Sequence, residues 1–191
     1  MSKLPKPLFY GLFLLILGII IGGLLAGVNA LTAPLIAENE LEQVRPIIAE
    51  KIAPDCDKIE DATLLLGRLP SEIKKVFYGY ENDVRTTIIY WTTTIGYNGG
   101  EVKTLTAITL ADGSILNVAV STANNQTSGI GDQILTYNFP YSGADASDYA
   151  SETTASFKKG DPEIISGATV SSKAVLGGVI IAANHFEGYN W

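Results

Sequence analysis

No charged residue interrupts positions 7–37, and positions 8–28 are nearly all Leu, Ile, Phe, Gly and Ala. A run this apolar is insoluble as a surface and too long for an ordinary core helix. A helix of 21 residues is about 32 Å long, enough to cross the hydrocarbon of a bilayer. Lys3 and Lys6 precede the run, and Glu38, Glu40 and Glu42 follow it. The bias of positive charge toward the cytoplasmic side then predicts a cytoplasmic N-terminus and a chain that continues outside. The competing reading is a cleaved signal peptide, with Val28-Asn29-Ala30 resembling a cleavage site. Its apolar core is unusually long for that purpose, so the expectation is a permanent single-pass anchor in the cell membrane. Gly18 and Gly22, and Gly23 and Gly27, recur at the spacing that lets membrane helices approach closely, although glycine is common in such helices anyway.

Beyond the anchor the chain is acidic. Eleven basic residues stand against 20 acidic ones there, a net charge of −9. That surface repels nucleic acid and anionic lipid head groups. Cys56 is the single cysteine and His185 the single histidine. An internal disulfide, a cysteine-held iron–sulfur cluster, a haem attachment motif and a multi-histidine metal site are thereby excluded, and no metal ligand set is expected. Cys56 lies between Asp55 and Asp57, whose charge disfavours a reactive thiolate. Redox chemistry in this chain requires an organic cofactor.

Three segments are expected: 1–37 as cytoplasmic tip and membrane helix, 38–69 as stalk and connector, and 70–191 as a folded domain. In the stalk, Leu41, Val44, Ile48 and Ile52 recur at helical spacing, with Pro34 and Pro46 placed to bend or interrupt the helix. Residues 70–76 carry helix signals, a Pro followed by acid first and base last. Residues 76–80, 86–95, 102–110 and 114–121 are rich in Thr, Ile, Val, Tyr and Trp and read as strands. Asp112-Gly113 marks a hairpin between the last two. Residues 171–186 place Ala174, Val175, Gly178, Val179, Ala182, Ala183 and Phe186 on one broad face, a helix that packs on the sheet. The fold class is α+β, an antiparallel sheet with helices on one face.

Two loops carry the chemistry. Residues 124–131, Asn-Asn-Gln-Thr-Ser-Gly-Ile-Gly, hold amides, hydroxyls and glycines with little to bury. By themselves they read as a surface loop. Ser166-Gly167-Ala168-Thr169 stands just before the final helix, where the dipole and free N–H groups favour an anion. Gly167 and Ala168 would let a phosphate-bearing ligand approach the backbone. The alternative is that Ser166 or Thr169 simply caps the helix.

The two loops and the anchor together resemble the FMN-binding G subunit of the Rnf ion-translocating electron-transport complex, and are similar to the C subunit of the sodium-pumping NADH:quinone reductase. The resemblance rests on Ser166-Gly167-Ala168-Thr169 with Val170-Ser171-Ser172-Lys173-Ala174-Val175, on Gln126-Thr127-Ser128-Gly129-Ile130-Gly131, and on Tyr97-Asn98-Gly99-Gly100-Glu101-Val102. Leu31-Thr32-Ala33-Pro34 and Ile36-Ala37-Glu38-Asn39-Glu40 resemble the G subunit's exit from the membrane. The families have Glu and Pro where Gln126 and Ser128 stand, and Asp where Glu163 stands, six residues before Thr169. An end at Trp191 is short for a C subunit and points to the G type.

The resemblance implies a single membrane helix with an extracytoplasmic FMN-binding domain, and FMN attached through a phosphoester to Thr169 by a flavin transferase. It implies that Ser166, Gly167 and Ala168 flank the phosphate and that Gln126, Thr127, Gly129 and Ile130 border the isoalloxazine ring. Tyr97 and Trp91 are candidate stacking partners, each also explicable as a sheet or core aromatic. Ser171, Ser172 and Lys173 are nearby donors, and His185 is expected to be structural. The implied role is a redox subunit, not an independent catalyst. Its partners would be the membrane subunits of a complex coupling ferredoxin–NAD electron transfer to Na+ or H+ export. Two alternatives stand beside it: a C-type or stand-alone anchored flavoprotein, and an anchored binding or structural domain without cofactor.

Overall fold

Residues 5–122, 126–189 and 191 are described by a computed structural model. The first element, α1, runs Lys6–Ile47, and its stretch Pro7–Thr32 is long and apolar enough to cross a membrane, with none of its most apolar window buried. Helix is maintained through Pro34. Past Pro46 the backbone widens into a π-helical turn, Ile48–Ile52, where Ala53 N–H reaches the Ile48 carbonyl at 2.8 Å. The missing Pro46 N–H opens the ladder there without ending it. The chain divides into two units, Met1–Glu42 and Gln43–Trp191.

In the second unit five antiparallel strands form a meander in the order β1-β2-β3-β4-β5. They are β1 (Lys58–Asp61), β2 (Ile73–Glu81), β3 (Val84–Ile95), β4 (Glu101–Thr109) and β5 (Ile115–Val120). The helix expected over 70–76 does not form. The chain turns at Pro70, Ile73 already opens β2, and the Thr93 N–H bonds the Glu72 carbonyl at 2.8 Å. Pairing with β3 outweighs the local charge order, because Ile73, Val76 and Tyr78 must reach the core. β1 arises from the connector, where no strand was expected. The Asp112-Gly113 hairpin forms as read: Asp112 Oδ1 accepts from Ser114 N–H at 3.0 Å, and Gly113 takes φ 74°.

Alternation gives the sheet two apolar faces. Val76, Tyr78, Ile88, Tyr90, Val102 and Ile108 share a core with α3, Thr169–Glu187, which packs along β3 and β4. A short helix α2, Ala146–Ala150, lies against α3, its Asp145 cap accepting from Ser147 N–H. Phe77, Ile89, Trp91, Leu105 and Ala107 alternate onto the opposite face and are buried as well. Ile48 and Ile52 of the π-helical turn, which packs on β4 and β5, and Val44 near the end of α1 are each 1% exposed. Asn117 Nδ2 donates to the Lys51 carbonyl at 2.6 Å and fastens that segment down. Helical structure therefore covers both faces rather than one. The architecture is α+β, an apolar N-terminal helix plus an antiparallel sheet with packed helices.

Candidate flavin site

α3 begins at Thr169, two residues earlier than its sequence pattern indicates. Its N-cap position is Ala168, and no side chain caps it. The capping alternative for Ser166 or Thr169 is thus not realised. Ser172 does the local work: its hydroxyl donates to the Ala168 carbonyl and accepts from Ile165 N–H, both at 3.0 Å, in a fully buried position. Gly167 precedes the helix at φ 93°, a conformation that suits glycine. Among the described residues, the first-turn amides of Thr169, Val170 and Ser171 have no hydrogen-bond acceptor. That leaves the positive end of a 19-residue helix open.

The open end faces a cavity of about 310 Å³ lined by Tyr97, Thr127, Ile130, Gly131 and the run 167–171. Three segments distant in sequence converge there. The turn Tyr97–Gly99 follows β3, the 127–131 loop enters a 3-10 turn at Gly131, and α3 supplies the floor. Tyr97 is 56% exposed, Ile130 53% and Val170 49%, so an apolar rim surrounds the mouth.

Of the expected site residues, Thr127, Ile130, Gly167, Ala168 and Thr169 line this cavity. Gln126, Gly129 and Ser166 do not. Gln126 lies behind the wall, bonded to Ser171 Oγ, and Ser166 and Gly129 point their positions to solvent. Tyr97, one of two candidate aromatics, is at the cavity, whereas Trp91 is buried in the sheet face opposite α3. Gly131, Val170 and Ser171 complete the lining. The i, i+1 and i+2 positions of a helix start were the available signal for Val170 and Ser171.

Hydroxyl chemistry separates the candidates further. Ser171 Oγ donates to Gln126 Oε1 at 2.6 Å, and Ser172 Oγ is committed to Ala168. Thr169 lines the cavity, and among the described residues its hydroxyl has no hydrogen-bond partner. Glu163 is outside the cavity: burial first, then the Glu163 carboxylate, push the Tyr149 phenol up to about 12. His185 is also elsewhere, its Nδ1 3.1 Å from Tyr90 Oη between β3 and α3, and burial lowers its pKa. Cys56 is half-buried with its thiol pKa raised, chiefly by burial. No cluster of metal-ligating side chains occurs among the described residues.

An uncapped helix start, small residues before it and an apolar-rimmed cavity together suit a ligand that carries a phosphate. Residues 96–184 match the family described as the FMN-binding domain, and every residue lining the cavity falls inside that match. Among solved structures the chain is similar to the crystal structure of Shewanella oneidensis NqrC, at 16% identity and a TM-score of 0.45, covering 73% of this chain and 75% of that one. No curated protein matches the sequence.

Proposed function

We propose that this chain is a membrane-anchored electron carrier whose FMN is bonded by its phosphate to Thr169. The observation that carries the reading is the Thr169 hydroxyl. Of the hydroxyl-bearing residues of the 166–172 stretch that line the cavity, Thr169 and Ser171, it belongs to the one whose hydroxyl has no hydrogen-bond partner among the described residues, and it stands on the first turn of α3. Bonding it to phosphorus forms an O–P ester, releases the hydroxyl proton and expels the leaving group of an activated flavin phosphate supplied by a flavin transferase. The phosphodiester that results carries one negative charge, placed where the amides of 169–171 and the α3 dipole stabilise it.

The remaining residues divide by chemistry. Tyr97 and Ile130 offer flat or apolar surface to a ring system, and Thr127 offers a hydroxyl at its edge. Such contacts tune the potential of a bound flavin, which takes and passes the electrons. A tether suits a carrier outside the cytoplasm, because it removes the entropy cost of rebinding a lost cofactor. The charge asymmetry around α1 supports a cytoplasmic N-terminus with the domain outside. In this reading the chain is the G-type subunit of an Rnf-type complex that couples ferredoxin–NAD electron transfer to Na+ or H+ export. It works with other membrane subunits rather than as an independent catalyst.

The test uses the full chain co-expressed with a flavin transferase. The denatured protein is expected to fluoresce as flavin and to gain the mass of FMN minus water, and Thr169→Ala removes both signals. Wild-type protein with neither signal overturns the flavoprotein reading, and leaves an anchored domain without cofactor. A label that survives Thr169→Ala moves the attachment to another hydroxyl. Co-purification of the native complex identifies the partner subunits, and a set unlike the Rnf type overturns that assignment.

A further inference from the structure

We infer that Gln126 is the positioning residue of this site, and that the site requires its carboxamide rather than a carboxylate; the inference rests on the flavin reading above. Gln126 bridges the walls from behind. Its Oε1 accepts from Ser171 Oγ at 2.6 Å and from the Tyr97 backbone N–H at 3.2 Å, and its Nε2 donates to the Gly100 carbonyl at 3.0 Å. A hydroxyl and an N–H require an acceptor, while the Gly100 carbonyl, which also accepts from Gly96 N–H, admits a donor and repels a second oxygen. A carboxamide offers both from one planar group, and a carboxylate offers acceptors alone.

Two glycines make room for that side chain. A Cβ on Gly96 would stand 2.7 Å from Gln126 Oε1 and 2.9 Å from its Nε2. A Cβ on Gly131 would stand 3.1 Å from both Gln126 Cβ and Ser171 Oγ. The tied turn is a narrow one: Gly96 N–H bonds the Gly100 carbonyl at 2.8 Å, and Asn98 sits at φ 53° between them. Its exposed aromatic, Tyr97, meets α3 through Gln126. One side chain from a third loop therefore sets the spacing between the aromatic wall and the wall that bears Thr169. Tyr97 and Thr169 move as a unit only while Gln126 keeps its bonds to Ser171, Tyr97 and Gly100.

The experiment uses full-length protein in detergent with its flavin attached, and reads visible-region circular dichroism and flavin fluorescence anisotropy on the flavin-bearing fraction. Wild-type chain without flavin would defeat the functional reading and not this one. With flavin present, Gln126→Glu and Tyr97→Leu each lower the anisotropy and diminish the induced dichroism, and the double variant is no worse than Tyr97→Leu alone. A Gln126→Glu protein with wild-type signals overturns the inference, as does a double variant whose losses add. Ser171→Ala, which removes the 2.6 Å bond alone, serves where a Gln126 variant folds poorly; its signals shift in the same direction, and an unchanged dichroism overturns the proposal.

Discussion

Gly178 of α3 lies so near Thr92 of β3 that a Cβ added to the glycine would stand 2.6 Å from Thr92 Oγ1 and 2.9 Å from Thr104 Cβ. The helix that presents Thr169 therefore rides on the sheet at a distance fixed by a missing methyl group. Gly178→Ala is expected to destabilise the domain by about 1–3 kcal/mol, because neither threonine has free space to retreat into. Thermal unfolding checks this, with a fall in Tm of about 2–4 °C for each kcal/mol in a chain of this size. An unchanged Tm contradicts so close an approach.

Ser172 ties the loop before α3 to the helix from a position with no solvent exposure. Ser172→Ala leaves the Ile165 N–H without its acceptor, at a cost of about 1–3 kcal/mol. The variant is expected to melt lower yet keep the flavin mass label, since the proposed ester is on Thr169. Intact-mass measurement beside the melt separates the two effects, and loss of the label with normal stability would reassign the residue.

His185 Nδ1 lies 3.1 Å from Tyr90 Oη, and burial lowers the His185 pKa below the ordinary 6.5. A folded state that binds its proton less readily than the unfolded chain loses stability as pH falls through 6.5 toward the lowered value. That loss is complete below the folded pKa. His185→Gln is expected to flatten the fall in Tm between about pH 7.5 and the acid side of this window, measured against wild type in the same buffers. Parallel curves would remove His185 from the pH response.

Trp91 pairs with Leu105 on the sheet face whose strands β4 and β5 the π-helical turn contacts. A chain starting at Gln43 is expected to fold as the compact unit does, with Trp91 buried at 3% exposure. A chain starting at Pro54 loses Val44, Ile48 and Ile52, each worth about 1.5–3 kcal/mol of burial. Its tryptophan emission should shift to the red and its solubility drop. Identical emission from the two chains would show that the second face needs no cover.

The sequence by itself determined the long apolar N-terminal helix, the strands β2 to β5 and the final helix. Those signals are local: an unbroken apolar run, period-two alternation from Glu101 to Val120, and helical spacing from Ala174 to Phe186. It also offered Thr169 as a candidate, because the Ser166-Gly167-Ala168-Thr169 motif is contiguous. Tertiary structure decided the rest. Residues 70–76 abandoned helix for β2 because β3 offered backbone partners. The π-turn segment became a lid on a second apolar face that periodicity alone cannot assign to a partner. Gln126 and Ser171 are 45 residues apart in sequence and 2.6 Å apart in space, so no window along the chain contains their bond. A cavity made by three loops exists only after the sheet has brought them together, and that convergence is a property of packing rather than of any single stretch.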